Sequence, residues 1–176
     1  TSTAGSVSIM AVDDSTIDAD SGGMSIGLQR TSGAGGGFSV GASIANNTLN
    51  STLTANVADT VVSAAGNILI SATSTSDIAA LSIAGSLSGA SGQGLTLTGS
   101  GAGASTTNSI TTVLDAHAAN SSSVTSTAGS VSIMAVDDST IDVDSGGVSI
   151  AGTAGNGGSG ALSVGASISQ NTISSI

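Results

Sequence analysis

The sequence predicts an all-β fold, a β-solenoid in which short strands and turns wind into stacked coils. Three observations carry that expectation: the chain repeats itself, its apolar residues alternate with small polar ones, and its side chains are small. Of 176 residues, 36 are Ser, 21 Thr and 26 Gly, with one Phe and no Trp, Tyr, Pro or Cys. A compact globule of this length needs larger side chains between its layers. A narrow solenoid can be filled by Val, Ile, Leu and Ala and is held together by stacking between neighbouring repeats. Disorder does not fit, because the hydrophobic fraction is 39% and the mean hydropathy +0.42, whereas disordered segments are poor in apolar residues.

The repeat organises the chain. Residues 1–23, TSTAGSVSIMAVDDSTIDADSGG, return at 125–147 with one substitution, Ala19 against Val143. The same offset of 124 carries FSVGASIANNT at 38–48 into LSVGASISQNT at 162–172. A weaker copy halves the period: Val7, Ile9 and Ala11 face Ile68, Ile70 and Ala72, and Asn47-Thr48-Leu49 matches Asn108-Ser109-Ile110. One solenoid segment over 1–176 is expected, with repeats at about 1–62, 63–124 and 125–176, the last incomplete. The stop at Ile176 in mid-repeat is expected of a window cut from a longer array, or equally of an ordered part of a protomer.

Taken in order, Val7-Ser8-Ile9 shows the period of two of a half-buried strand, as do Met24-Ser25-Ile26, Leu95-Thr96-Leu97 and Val131-Ser132-Ile133. Val, Ile and Thr favour strands over helices. Asp13-Asp14-Ser15, Ser21-Gly22-Gly23 and the Gly-rich run Thr31–Gly37 read as turns. Ile17 and Ala19 are expected inward, with Asp18 and Asp20 on the outer face. Val7, Ile9, Ile68, Ile70, Val131 and Ile133 should point inward at equivalent positions. With strands of about five residues, a repeat has room for two coils of about 31 residues or three of about 20; two are preferred, the first from Gly5 to about Gly37 and the second from Phe38 to about Ala65. Six such coils would make a rod on the order of 25–30 Å long.

Eleven Asp oppose Arg30 alone, for a formal charge of −10. That balance excludes nucleic-acid binding, which draws its affinity from Lys and Arg along the phosphates, and an anionic membrane surface would repel the chain. No run of about 18 apolar residues is present to span a membrane as a helix, and no leader pattern stands at the start, so an export signal is expected outside this chain. Without cysteine, disulfide frameworks and thiolate metal sites drop out.

Eight of the eleven acids lie in two copies of one cluster: Asp13, Asp14, Asp18 and Asp20, then Asp137, Asp138, Asp142 and Asp144. Oxygen ligands at this density could hold Ca²⁺, but the spacing fits neither an EF-hand loop nor the calcium-binding nonapeptide. Solvated turn charges are the preferred reading, and Ca²⁺ the alternative. The middle repeat supports the preference, carrying Ser74 and Thr75 where the others have paired acids. His117 is the only histidine and lacks a recognisable partner motif, so no enzyme is expected, since catalysis needs a base, a nucleophile and a stabiliser in one pocket. Threonines at 1, 3, 52, 54, 73, 75, 96 and 98 raise an ice-binding alternative, weakened because they do not recur at equivalent places.

The run Gly36-Gly37-Phe38-Ser39-Val40-Gly41-Ala42-Ser43-Ile44-Ala45-Asn46-Asn47-Thr48, continuing through Thr54-Ala55 and Val61 to Ala72, resembles the repeat unit of very large bacterial filamentous surface adhesins of the filamentous-haemagglutinin-like and leukotoxin-like kinds. Those repeats look like GVGASVAVN, then N-x-T-x-A, then S-x-V-x-A-x-G-x-V-x-V-x-A. The likeness covers essentially the whole chain. The middle repeat departs from it, with Gly99-Ser100-Gly101-Ala102-Gly103-Ala104 where the first has Phe38 to Ser43. The resemblance implies a secreted, surface-attached, right-handed β-solenoid fibre whose binding domain lies elsewhere. The expected function is therefore a non-catalytic structural module of an extracellular fibre or adhesin stalk. Its expected partners are copies of itself, through coil ends and Ser/Thr-rich faces, and a host or surface ligand that the sequence does not identify.

Overall fold

A computed structural model describes residues 1–176. It contains eleven strands and no helix: β1 (Val7–Asp13), β2 (Thr16–Arg30), β3 (Gly35–Ala58), β4 (Val61–Ala64), β5 (Ile68–Ser74), β6 (Asp77–Gly92), β7 (Thr96–Ala119), β8 (Ser123–Ser126), β9 (Val131–Asp137), β10 (Thr140–Gly155) and β11 (Ser159–Ser175). No helix is therefore long and apolar enough to cross a membrane. All pairings are parallel and join like to like in successive repeats, giving sheets β1-β5-β9, β2-β6-β10, β3-β7-β11 and the two-stranded β4-β8. The fold is a parallel β-solenoid.

Register settles the coil size. Val7 pairs with Ile68 and Ile68 with Val131, so neighbours across a rung are one whole repeat apart. Each repeat is thus one coil, and the expected two coils per repeat are corrected to one. Three coils stacked about 4.8 Å apart reach a depth on the order of 10–15 Å, not 25–30 Å. The reason lies in six of the eleven strands, which run from 15 to 24 residues rather than five; β3 and β7 each run 24. Ser21-Gly22-Gly23 does not turn but lies inside β2, and the turn expected over Thr31–Gly37 closes by Ala34, before β3 begins. Asp13-Asp14-Ser15 is a genuine corner, between β1 and β2.

Each coil is a long, flat loop. In the first, β1 and β2 run out along one wall and β3 returns along the other, bringing Asp13 opposite Ser51 and Ser21 opposite Ser43. Asp59 and Asn120 turn the chain after β3 and β7 with φ of 51° and 56°, a left-handed conformation that short polar side chains tolerate.

The interior changes character along these walls. At the end near β4, Ile70 and Ala72 pack with Leu53, Ala55 and Val57, flanked by Ile9 and Ala11. Here the expected register holds, with Val7, Ile68 and Val131 sharing one rung position and Ile9, Ile70 and Ile133 another; Ile68 and Ile70 are buried and Val7 and Ile9 partly so, whereas Val131 and Ile133, on the third coil, are 43% and 46% exposed. Ile70 is fully buried, and burying such a side chain contributes about 1.5–3 kcal/mol. A second apolar patch, Ile78, Ala80 and Ile110, follows beyond the Asp corner.

In the remaining stretch the expected phase is reversed. Met24, Ile26 and Leu28 point outward, Met24 80% exposed, while Ser21, Ser25 and Gly27 line the interior. On the other wall Phe38, Val40 and Ile44 are outward and Ser39, Gly41 and Ser43 inward; in the middle coil Thr96 is fully buried while Leu95 and Leu97 are exposed. An interior limited to Val, Ile, Leu and Ala is therefore right for one end of the coil and wrong for the other. The cause is the closeness of the walls. A Cβ on Gly23 would lie 1.9 Å from the Ala42 carbonyl oxygen, and one on Gly41 2.0 Å from that of Gly85. Backbone meets backbone there, and only Gly, Ser and Ala fit between. We refer to this thin stretch as the blade.

Candidate functional site

The eight aspartates do not form one site; the fold divides them three ways. Asp13 and Asp137, the last residues of β1 and β9, fall in the inward phase of their strands. Ser15 Oγ donates to Asp13 Oδ1 at 2.5 Å, Ser76 Oγ donates to Oδ2 at 3.1 Å, and Ser51 donates from the opposite wall. The hydrogen bonds from Ser15 and Ser51 hold the Asp13 carboxyl below its ordinary range, against an opposing push from burial. At Asp137, burial pushes upward, but hydrogen bonds from Ser139, Ser175 and Ser74 outweigh it, and the carboxyl again lies low. These two are therefore serine-clamped anions rather than free turn charges, which corrects the sequence expectation for them.

Between them in the middle coil stands Ser74, paired with both Asp13 and Asp137 across the rungs. Its hydroxyl lies 3.1 Å from that of Ser76 and 3.4 Å from that of Ser139. Opposite it Thr112, the partner of both Ser51 and Ser175, is buried with its hydroxyl unpaired. The substitution of Asp by Ser keeps like charges two rungs apart, about 10 Å, where stacking them on every rung would destabilise the sheet.

Asp14 and Asp138 are exposed at the corners, with Thr75 Oγ1 donating to Asp14 at 3.1 Å. Asp18, Asp20, Asp142 and Asp144 are outward on β2 and β10, as the alternation with Ile17 and Ala19 leads one to expect. They frame a shallow depression over Ala79 and Leu81, which stand between Asp18 and Asp142 and between Asp20 and Asp144, so that each pair is two rungs apart. No three of the acids, with or without His117, converge to hold a metal ion, whereas Ca²⁺ takes six to eight oxygens at about 2.3–2.6 Å.

His117 lies on β7, and its Nδ1 is 2.7 Å from Asp115 Oδ1. The pair is two residues apart on one strand face, and the imidazole has no serine hydroxyl as a hydrogen-bond partner. Of the threonines, Thr96 and Thr98 are buried inside the coil while Thr52 and Thr54 are exposed, so the residues of the ice-binding alternative do not share a surface. Arg30, at the exposed end of β2, borders an open groove with Leu28, Gly89 and Gly152.

Three arrangements escaped the sequence reading. Asn47, Asn108 and Asn171 form an amide ladder, each Nδ2 donating to the next Oδ1 at 2.8 and 2.9 Å. A chain of serine hydroxyls runs through the blade, Ser39 to Ser86 at 2.6 Å and Ser86 to Ser100 at 2.8 Å. Ser149 continues it, donating to the Ser100 carbonyl at 2.9 Å and meeting the Ser163 hydroxyl at 2.6 Å. The third is the apolar surface on both outer faces of the blade. The signals are present: Asn recurs at the equivalent positions 47, 108 and 171, and every residue in one phase of 21–27 and of 35–45 is Gly, Ser or Ala, the pattern of two sheets in close contact.

No protein-family model, curated protein or solved structure matches this chain.

Proposed function

We propose that the chain is a structural repeat module of a secreted bacterial surface fibre or adhesin stalk, without catalytic activity, that associates with further copies through its coil ends. The observation that carries this reading is the in-register parallel stacking of one coil per repeat. Because each repeat presents the same strands on the same rung positions, a further repeat extends every sheet by one strand and requires no new packing. A fibre follows from repetition alone. The Asn and Ser ladders support it, since each is built to run perpendicular to the strands. In this chain β1, β2 and β3 on one side and β9, β10 and β11 on the other are edge strands, and edges of this kind template pairing with another chain.

The charge of −10 sets the conditions. Self-repulsion keeps molecules apart until edges meet in register, and salt screens it over a Debye length of about 8 Å at physiological ionic strength. The test combines two measurements. Tandem arrays of the 124-residue unit should lengthen by about 9.6 Å per unit in electron micrographs, two coils at the interstrand spacing. Antibody raised to the chain should label projections on intact cells of the source organism. Arrays that do not lengthen, or label confined to the cell interior, would overturn the reading.

A further inference from the structure

The blade's outer face on the β3-β7-β11 sheet is corrugated. In the first coil Phe38, Val40 and Ile44 stand out from it, and in the third Leu162, Val164 and Ile168, all more than half exposed. Between these ridges the middle coil presents Gly99 and Gly101, each in register with a ridge residue on either side, and Gly103, in register with Ala42 and Ala166. The face carries no charged residue from Phe38 to Asn46 or in the segments in register with it, 99–107 and 162–170. Its exposure is not an end effect, since Leu97, in the coil covered on both sides, is 55% exposed. The glycine track is open at two of its three positions: a Cβ on Gly103 would meet nothing within 4 Å and one on Gly101 only Val40 Cγ2 at 3.9 Å, whereas the Phe38 ring leans over Gly99, 2.8 Å from where a Cβ would lie.

We infer that this face pairs with the same face of a second copy, displaced by one coil, so that the ridge of each chain sits in the glycine track of the other. The alternation selects this occupant. Bulky and glycine repeats succeed one another with a two-coil period of about 9.6 Å, and a surface with that period is complementary to itself after a shift of half of it. A lipid surface has no use for such a period, and the face lacks the Trp and Tyr that anchor proteins at membrane interfaces. The area fixes the strength. Seven residues from Phe38 to Ile44 span about 23 Å, which with a 4.8 Å rung gives about 110 Å² per coil. Two overlapping coils bury about 220 Å² per partner, well short of the roughly 800 Å² of a stable pair. Pairing is brief for this chain and accumulates with the number of repeats.

A brief encounter is read by trapping it, and the chain has no cysteine of its own. Val40→Cys and Gly101→Cys, placed on separate chains and mixed under oxidation, should form the mixed disulfide about tenfold faster than Val40→Cys with itself. Adding Gly103→Val to both chains should slow that reaction about tenfold by filling the track, with the β-sheet circular dichroism unchanged. Equal rates for the two pairings, or acceleration by Gly103→Val, would reduce the face to an unspecific sticky surface and overturn the inference. Binding to neutral lipid vesicles without cross-linking would overturn it in favour of lipid. End-to-end stacking does not bring Val40 opposite Gly101 of another chain, so failure of the fibre reading leaves this result intact.

Discussion

The two ends of each coil achieve the same stacking by opposite chemistry. Near β4 the walls are held apart by Ile70, Leu53 and Val57, and the space between is filled with aliphatic side chains. In the blade the walls approach until Gly23 lies against the Ala42 carbonyl, and hydroxyls of Ser39, Ser86 and Ser100 join across the gap. The first end buries large side chains; the second turns them outward and buries its backbone. Apolar surface that does not fit inside becomes the blade's exterior, and a single coil thereby buries its apolar residues at one end and exposes them at the other.

That contrast is most sharply broken at the filled end. Ile70→Ala should cost about 2–5 kcal/mol, because it removes a buried side chain and leaves a cavity that stiff neighbouring rungs cannot close. Outward Ile26→Ala, the same kind of truncation on the blade, should stay within about 0.5 kcal/mol. Denaturant unfolding of the two variants measures the difference. Equal losses would mean that the blade's outer face is covered in solution.

Next in size is Gly41→Ala, expected to cost about 1–3 kcal/mol as an overpacked core does. The added methyl has no flexible neighbour to displace, only the backbones of Gly85 and Gly23. In the middle coil the same rung position is Ala102, buried beside Ala84; Ala102→Gly should therefore be mild by comparison. A Gly41→Ala variant as stable as the parent would show that the walls separate easily.

Ser86→Ala should cost about 1–2 kcal/mol, since it strips the shared hydroxyl from between Ser39 and Ser100 and leaves buried groups short of a partner. Ser8→Ala, on the exposed phase of β1, should be neutral. Thermal unfolding of both variants gives the comparison, and indistinguishable midpoints would mean that the serine chain contributes nothing net.

These variants also mark what the sequence could and could not disclose. Val7, Ile68 and Val131 were legible because β-branched residues in one phase, repeated at fixed offset, specify both an inward face and a register. The blade was not, because Met24-Ser25-Ile26 shows the same alternation with the opposite phase inside, and hydrophobicity alone assigns the larger residue to the core. Coil length failed for a related reason: Ser21-Gly22-Gly23 has turn composition, but Gly23 is there for close approach of the walls, and a glycine's composition signal is the same in both uses. The carboxylates were half legible. Alternation placed Asp18 and Asp20 outside correctly, whereas the clamp on Asp13 depends on Ser51 and Ser76, brought from 38 and 63 residues away.

The smallest expected effect belongs to that clamp, which divides the apolar end from the rest of the coil. Asp13 and Asp137 lie below the ordinary carboxyl value of 3.8 when folded, so the folded state holds its protons less tightly than the unfolded chain. A depressed folded value stabilises the protein fully above the unfolded value, and the contribution is lost as pH falls through the folded one. Stability from these two groups should be level from pH 7 to about 5 and decline below about 3.8. Both carboxylates still reach solvent, which screens the gain, so the decline should be smaller than the effect of Ser86→Ala. Comparing the parent with the double variant Asp13→Asn, Asp137→Asn cancels the shared contribution of the remaining aspartates. The variant should unfold at a lower temperature at pH 7, and the gap should narrow between pH 4 and pH 2. A gap that stays constant with pH would assign the clamp's role to shape and hydrogen-bond geometry, with no part for the charge.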